Sequence, residues 1–314
     1  MLGVELVGLW STYVLRREIL VAAFIGRNFF VDYSGGTDYD SLRMLKPLAP
    51  AMVAIATFAQ TSPMELLKPA LDVGISVSDI DKAKDFYGTT LGLKLAGTLP
   101  MPDGTTMFRY QAGTAVLKVR ATPKAAKYPT GVREAIGFRL LTLYVDDLPG
   151  ILERWTAAGN SAPRMMGNFT LISDPDGNPV ELVTAPAGTD MIAVGLTVSD
   201  VERSRKFYGE MLGLAEEKAG KNGDSTFLAG KTLIRLRKGT GDDLPKHTGN
   251  VANALGFRYF TFMVKDLDSA AVKLAERGAK IVVKPVDFGK IARIMMIEDP
   301  DGNWIELAAL TQAR

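Results

Sequence analysis

Alternating and helical patterns of apolar residues predict a distinct order of elements from residue 71 onward. Residues 71–77 alternate and are rich in β-branched side chains, so we predict a strand there. A helix follows, because Ser78 or Asp79 can cap its start and the apolar positions after them recur at helical spacing. Gly88 and Gly92 end this helix, and short strands follow near 93–99, 105–111 and 114–120. This order is one βαβββ module.

The same order follows in the next part of the chain. A strand is predicted at 138–145 and a helix at Leu148–Ala158, which Gly159 ends. Three short strands complete the module, near 163–167, 169–173 and 179–184. The first half of the regular sequence therefore contains two βαβββ modules.

This two-module unit is repeated. Val77–Gly88 returns in similar form as Val198–Gly209, and Gly137–Arg139 returns as Gly256–Arg258. Collinear matches at one spacing indicate a duplicated unit. We therefore predict an α+β fold of four βαβββ modules.

An Asp-Pro-Asp-Gly turn occurs in both halves, at 174–177 and at 299–302. Proline fixes φ at the first corner, and glycine takes the φ > 0 position that closes a hairpin. Each turn leads into a short apolar strand that carries one carboxylate, Glu181 or Glu306. Alternation puts each acid on the opposite face from its apolar neighbours. The two acids therefore point to equivalent places in the two halves. The function depends on which group contacts each carboxylate there.

Composition limits the classes of protein to which this chain can belong. Its 314 residues suggest two or three domains, and its 47% apolar and 23% charged residues are ordinary for a globular protein. A net charge of +2 with scattered basic residues predicts no nucleic-acid partner. The absence of cysteine excludes disulfides, thiolate nucleophiles and cysteine-ligated zinc. The one histidine, His247, excludes a site with two or three His ligands from this chain, and its polar linker predicts a solvated loop residue.

The N-terminal part differs from the repeated part. Residues 1–43 stay unassigned, and their apolar stretch Leu2–Leu15 is too short and too charged to predict a stable membrane span. Residues 44–68 have the layout of a signal peptide followed by a linker. Basic residues come first, then an apolar stretch, then small residues at the expected cleavage site. A buried helix is the alternative. The signal-peptide interpretation predicts a periplasmic or secreted protein, and the alternative is a cytoplasmic one.

The repeated motifs resemble those of the vicinal oxygen chelate (VOC) superfamily, which includes glyoxalase I, the bleomycin-resistance proteins and the extradiol dioxygenases. The resemblance rests on Val77–Tyr87 with the Leu-Gly-Leu that follows, on Asp174–Leu182, and on their second copies. It implies two tandem VOC domains, at 69–186 and 190–310. Each domain is then a cup of curled mixed β-sheet with helices outside.

In that family, metal ligands come from the first and last strands of each module. Matched by pattern, the resemblance places the corresponding residues at Asp72, Lys118, Leu140, Glu181, Ala193, Arg235, Tyr259 and Glu306. These eight residues are the candidates for lining the cups or binding a ligand. No catalytic residue is assigned.

Few of these candidates can bind a metal, so no cofactor is predicted. A divalent ion held by one or two carboxylates would be weakly bound. We hypothesise that an ion pair replaces the metal in each cup, Lys118 with Glu181 and Arg235 with Glu306, because a buried carboxylate without a partner is very costly. The alternative is a Zn, Ni, Mn or Fe ion on Asp72 and Glu181, completed by water, substrate or another chain.

These expectations favour a metal-independent protein that binds a small organic molecule in a β-cup. The alternative is a metal-dependent lyase or dioxygenase of the glyoxalase or extradiol dioxygenase type, so whether the protein is an enzyme stays open. A third interpretation is a structural protein whose cups are filled by side chains. Cups formed by swapping between chains would make a homodimer.

Overall fold

All four predicted modules are present in this computed structural model, which describes residues 62–122, 124–219 and 223–311. The predicted strands of the first two modules agree with the observed strands to within two residues at each end. The unassigned N-terminal extension and the signal-like segment after it lie outside the described residues.

Each module starts with a strand that leads into a helix behind an aspartate cap. The caps are Asp79, Asp147, Asp200 and Asp266, whose carboxylates accept hydrogen bonds from backbone N–H groups two or three residues ahead. The helices span Ile80–Lys84, Leu148–Ala157, Val201–Lys206 and Leu267–Glu276, and π-helical segments at Asp85–Thr90 and Phe207–Met211 continue the first and third. In the described part of the chain, no helix is long and apolar enough to cross a membrane.

The first and fourth modules share one sheet of eight strands. These strands are β1 (Asp72–Val77), β2 (Leu95–Pro100), β3 (Thr106–Ala112), β4 (Ala115–Ala121), β14 (Gly256–Met263), β15 (Lys280–Phe288), β16 (Ala292–Glu298) and β17 (Trp304–Leu310). Their order is β15-β16-β17-β14-β1-β4-β3-β2. The two modules meet where β1 pairs antiparallel with β14.

The second and third modules share the other sheet, which has nine strands. These strands are β5 (Ile136–Val145), β6 (Met165–Met166), β7 (Phe169–Ser173), β8 (Pro179–Thr184), β9 (Ile192–Val198), β10 (Ala215–Ala219), β11 (Ser225–Ala229), β12 (Thr232–Lys238) and β13 (Lys246–His247). Their order is β10-β11-β12-β9-β5-β8-β7-β6, and β13 pairs with β5. The modules meet where β5 pairs antiparallel with β9.

Each sheet therefore combines one module from each half of the chain. The two modules of one half contribute to different sheets, which differs from the expectation that they form a cup together. The register explains the difference, because the first strand of each module pairs with the first strand of its partner in the other half. Both cups are built from strands of a single chain.

The Asp-Pro-Asp-Gly turns hold together the two modules of each half. Asp174 in the second module is buried and accepts a hydrogen bond from Tyr87 Oη in the first module at 3.1 Å, as well as from Asn178 Nδ2 at 2.9 Å. Asp176 in the same turn accepts from the backbone N of Ser78 at 2.9 Å. Burial raises the pKa of Asp174 to about 6, although the hydrogen bonds from Asn178 oppose the shift.

The same contacts recur between the third and fourth modules. Tyr208 Oη donates to the buried Asp299 carboxylate at 2.9 Å, and Asn303 Nδ2 donates to it at 2.8 Å. Asp301 accepts from the backbone N of Ser199 at 3.0 Å. Burial raises the pKa of Asp299 to about 6. Each turn thus anchors the helix of a module that belongs to the other sheet.

The helices cover one face of each sheet, and the apolar core lies between helices and sheet. Val73 and Ile75 of β1 and Leu117 and Val119 of β4 are buried in this core. Because side chains alternate along a strand, Lys118 between the last two points to the opposite face. That inner face is the one around which the sheet curls into a cup, and it carries the candidate residues.

Candidate functional site

Four of the eight candidates come together on the inner face of the first sheet. Gly74 lies opposite both Tyr259 and Lys118 in the strand register. Thr261 lies opposite both Asp72 and Glu306. The set brought together is Asp72, Lys118, Tyr259 and Glu306, and we call the inner face around it the lysine cup.

The other four candidates come together on the second sheet in the equivalent register. Gly195 lies opposite both Leu140 and Arg235. Thr142 lies opposite both Ala193 and Glu181. The set brought together is Leu140, Glu181, Ala193 and Arg235, and we call the inner face around it the arginine cup. The two cups therefore correspond position by position.

An ion pair occupies the lysine cup. Lys118 Nζ lies 2.8 Å from Glu306 Oε1 and donates a second hydrogen bond to Thr261 Oγ1, also at 2.8 Å. The Thr261 hydroxyl donates to the same carboxylate oxygen at 2.8 Å, so the three groups form a closed network. Only 14% of the Lys118 side chain and 9% of the Glu306 side chain are exposed. Burial lowers the pKa of Lys118, but Glu306 and Tyr259 outweigh burial and hold that pKa above its usual range.

Other side chains fill the rest of the lysine cup. The Tyr259 ring lies over Gly74, where a Cβ atom would be 1.9 Å from ring atom Cε1. Lys118 Nζ lies 5.6 Å from the centre of the same ring, a cation–π contact. Burial raises the pKa of Tyr259 to about 12. Asp72 is paired with Lys68, so its charge is also compensated from within the protein.

A second ion pair occupies the arginine cup. Arg235 Nη1 lies 2.9 Å from Glu181 Oε2, and Arg235 Nη2 donates to Tyr144 Oη at 2.8 Å. The Thr142 hydroxyl donates to Glu181 Oε2 at 2.7 Å, as Thr261 does in the lysine cup. The exposed fractions are larger here, 23% for the Arg235 side chain and 15% for that of Glu181. The arginine cup is therefore the more open of the two at this position.

The partners in these ion pairs differ from the predicted ones. The sequence interpretation paired Lys118 with Glu181 and Arg235 with Glu306. In the structure Lys118 pairs with Glu306, and Arg235 pairs with Glu181. Because the sheets join the first module to the fourth and the second to the third, each cation meets the acid of the opposite half. Each cup contains a cation–carboxylate pair, but the predicted partners are wrong.

The residues of the two cups do not fit a metal ion as a set of ligands. Asp72 and Glu181, the carboxylates of the metal alternative, belong to different sheets and cannot ligate one ion together. Glu181 and Glu306 each contact a basic side chain, which occupies a carboxylate oxygen and repels a further cation. Within residues 62–122, 124–219 and 223–311, no group of three or more His, Cys, Asp or Glu residues could hold a metal ion.

His247 is buried, contrary to the prediction of a solvated loop residue. It lies in β13, which pairs with β5, and only 2% of its surface is exposed. Its Nδ1 atom lies 2.9 Å from Arg139 Nη1, and its ring centre lies 4.8 Å from that of Tyr128. Burial, followed by the charges of Arg258 and Arg139, lowers the pKa of His247 to about 3. The residue is a neutral part of the packing around the second sheet.

Three residues of the cups were missed at the sequence level. Thr142 and Thr261 bridge the ion pairs, and each lies two residues after a candidate on its own strand. Arg237 likewise lies two residues after Arg235 on β12. Residues two apart on a strand share a face, so this alternation was the signal that could have identified all three.

Comparisons with known proteins give a consistent family. A model described as Glyoxalase/Bleomycin resistance protein/Dioxygenase superfamily matches the chain twice, over residues 70–182 and 190–307. Lactoylglutathione lyase GLX1 of Arabidopsis thaliana is 26% identical over 157 residues, which cover 46% of this chain and 54% of that relative, about half its length. A second Arabidopsis thaliana protein, "Probable lactoylglutathione lyase, chloroplastic", is 25% identical over 253 residues, which cover 74% of this chain and 70% of that relative.

Solved structures show the same fold. Glyoxalase I from Zea mays superimposes with a TM-score of 0.57 at 20% sequence identity, and the match covers 76% of this chain and 92% of the maize chain. A sequence identity of 20% to a solved structure shows that the fold is shared, but it does not show a shared activity. The activity therefore has to be argued from the residues in the cups.

Proposed function

This chain belongs to the Glyoxalase/Bleomycin resistance protein/Dioxygenase superfamily, and we propose that it binds a small organic molecule in a β-cup without a metal ion. One observation carries the proposal. At the positions where the family resemblance expects metal ligands, each cup has a basic side chain in contact with a glutamate, Lys118 with Glu306 and Arg235 with Glu181.

The electrostatics of these pairs favour an organic ligand over a metal ion. A divalent ion bound to Glu306 would lie a few ångströms from the Lys118 ammonium group, which already occupies Glu306 Oε1. Two cations at such a separation repel strongly where little water screens them. The raised pKa of Lys118 keeps the ammonium group charged at neutral pH, so deprotonation does not relieve the repulsion.

The arginine cup offers the polar groups that a small-molecule site needs. Such sites are concave and mostly apolar, with a few polar groups that orient the ligand. Arg235, Tyr144 and Thr142 supply donors and acceptors within one hydrogen-bonded network. Leu228 and Leu233 lie opposite each other on neighbouring strands of the same inner face and are only half-buried. The arginine cup therefore combines an apolar surface, from the two leucines, with the guanidinium group of Arg235, which its hydrogen bonds hold in place.

A metal-dependent lyase or dioxygenase is the alternative, since both Arabidopsis thaliana relatives described above carry the name lactoylglutathione lyase. That alternative requires ligands from outside the eight candidate residues, because the three carboxylates among them, Asp72, Glu181 and Glu306, each contact a basic side chain. Measurements of metal content and of turnover distinguish this alternative from the proposal.

Metal analysis of the purified full-length chain tests the proposal. We expect far less than one equivalent of Zn, Ni, Mn or Fe per chain, and a melting temperature that does not change after dialysis against EDTA or on return of each ion. We also expect no formation or cleavage of lactoylglutathione with any of these ions. One equivalent of an ion that EDTA removes, together with turnover that the ion restores, would overturn the proposal.

A further inference from the structure

The two cups differ at the positions that fill the lysine cup. Register equivalence puts Leu140 of the arginine cup where the lysine cup has Tyr259, and Ala193 where it has Asp72. The aromatic ring that covers Gly74 therefore has no counterpart over Gly195. The corresponding space is taken by a guanidinium, because a Cβ atom at Gly195 would lie 2.8 Å from Arg237 Nη1.

Arg237 has no ionic partner among the residues that the structure describes. Two ion pairs flank it on the same side of the sheet, Arg235 with Glu181 at 2.9 Å and Arg133 with Asp224 at 2.7 Å. Its own Nη1 atom is buried and makes no hydrogen bond within the described chain. Three guanidinium groups thus share two carboxylates, and the excess positive charge is on Arg237.

This excess charge is costly in the free protein. Burial lowers the pKa of Arg237, and the neighbouring Arg235 lowers it further, so the surroundings disfavour its charge. A guanidinium cannot escape by losing its proton at neutral pH. A buried charge of this kind is stabilised by an opposite charge, and its planar pair of donors matches a carboxylate or phosphate group.

The equivalent position of the lysine cup has a different environment. Arg120 corresponds to Arg237 in the register, and its Nη2 atom lies 3.3 Å from Asp103 Oδ2 in an ion pair. In the arginine cup a different acid, Asp224, lies near Arg237, but Arg133 reaches it from the linker before β5 and pairs with it. The linker thus takes the acid beside Arg237, whereas Arg120 keeps its ion pair with Asp103.

From these observations we infer that the arginine cup binds a small organic acid, with its carboxylate or phosphate group on Arg237 beside Arg235 and its apolar body against the half-buried Leu228 and Leu233. The inference rests on the proposed small-molecule function and adds the charge of the ligand and the cup that binds it.

Binding of simple probes to the full-length chain tests this inference. The probes are benzoate and phenyl phosphate as organic acids, and benzyl alcohol as a neutral compound with the same ring. Ligand-observed NMR titrations give the dissociation constants. We expect both acids to bind the unmodified protein and benzyl alcohol to bind at least about tenfold more weakly, since one charge-assisted hydrogen bond contributes roughly that much.

Matched variants assign the effect to one residue. Arg237→Gln should weaken both acids about tenfold or more, whereas Arg120→Gln, at the equivalent position of the lysine cup, should leave both within about twofold. Circular dichroism shows whether Arg237→Gln is folded. Arg237→Lys keeps the positive charge, so it should retain measurable binding of both acids even if Arg237→Gln folds poorly. Equal weakening by Arg237→Gln and Arg120→Gln, or tighter binding of benzyl alcohol than of benzoate, would overturn the inference.

The outcomes also separate this inference from the proposed function. Binding of benzyl alcohol in the absence of any acid binding would refute an anion site and leave a metal-independent small-molecule cup intact. Stoichiometric metal with turnover would refute the proposed function whatever the probes do. Binding of phenyl phosphate alone would narrow the acid group to phosphate.

Discussion

Lys118 and Glu306 are 188 residues apart in the sequence, and their Nζ and Oε1 atoms lie 2.8 Å apart in the fold. The contact joins the last strand of the first module to the last strand of the fourth, through Thr261 between them. The pair is almost fully enclosed, so each charge depends on the other for compensation. Its energetic weight can therefore be measured by removing one partner at a time.

Glu306→Gln should lower the free energy of unfolding by roughly 3–5 kcal/mol, because it leaves a buried ammonium group without a counter-charge. Urea denaturation monitored by circular dichroism measures this loss. Replacing both partners, Lys118→Met together with Glu306→Gln, should recover most of it, since no unpaired charge remains. The strong coupling between the two sites is the expected signature.

Glu181 is the matched control for this double-mutant cycle. It is equivalent to Glu306 in the register but pairs with Arg235 in the other cup. Glu181→Gln combined with Lys118→Met should give additive losses, because residues without shared partners act independently. Strong coupling of Lys118 to Glu181 and none to Glu306 would restore the pairing predicted from the sequence and contradict the observed sheet order.

Tyr87→Phe should destabilise the protein by about 1–2 kcal/mol, because it removes the hydroxyl that donates to the buried Asp174 carboxylate. Tyr208→Phe tests the second copy of the contact, with Asp299 as acceptor, and should have a similar effect. Urea denaturation of the two variants measures both losses. A loss in one copy and none in the other would show that the turns do not play equivalent roles.

The order and type of elements could be predicted from the sequence because they depend on local patterns. Alternation predicted the strands, and a cap at Ser78 or Asp79 indicated the start of the first helix, where the structure has Asp79. The pairing of modules could not be predicted in this way. It depends on strand contacts such as that of β1 with β14, which join segments far apart in the chain and have no local signature.

The sequence pattern was enough to assign the candidate residues to the inner faces. It was not enough to predict which side chains would surround each of them. Alternation placed Lys118 and Glu306 on inner faces, and the first-strand pairing then decided that they meet. His247 shows the limit of composition as a guide. Its linker is polar, yet two residues of that linker pair with β5 and bury the imidazole.

Gly74→Ala should destabilise the protein by about 1–3 kcal/mol, because the new methyl group would overlap the Tyr259 ring and force it away from the sheet. Gly88→Ala is a suitable control, since a Cβ atom there would lie 3.3 Å from the nearest atom of Tyr110, within reach of a small adjustment. Thermal unfolding compares the two. A smaller loss for Gly74→Ala than for Gly88→Ala would contradict the position of the Tyr259 ring.

The buried His247 should make the stability depend on pH in a defined window. Its pKa is about 3 in the folded protein and about 6.5 in an unfolded chain, so between these values the unfolded state binds the extra proton. The stabilisation from the neutral imidazole is thus complete above about pH 6.5 and is lost as the pH falls towards 3. The positive groups that face the ring, Arg139 and Arg258, act in the same direction as burial.

Comparison with His247→Gln isolates this effect from other titrating groups, including Asp174 and Asp299, whose raised pKa values act in the opposite direction. Between pH 6 and pH 4.5 the unmodified protein should lose about 2 kcal/mol of unfolding free energy relative to the variant. Because the chain has one histidine, the imidazole Cε1–H resonance needs no assignment once any affinity tag is removed. A folded-state shift of that resonance with a midpoint near pH 6.5, or a stability difference that does not vary with pH, would show that the imidazole is exposed to solvent.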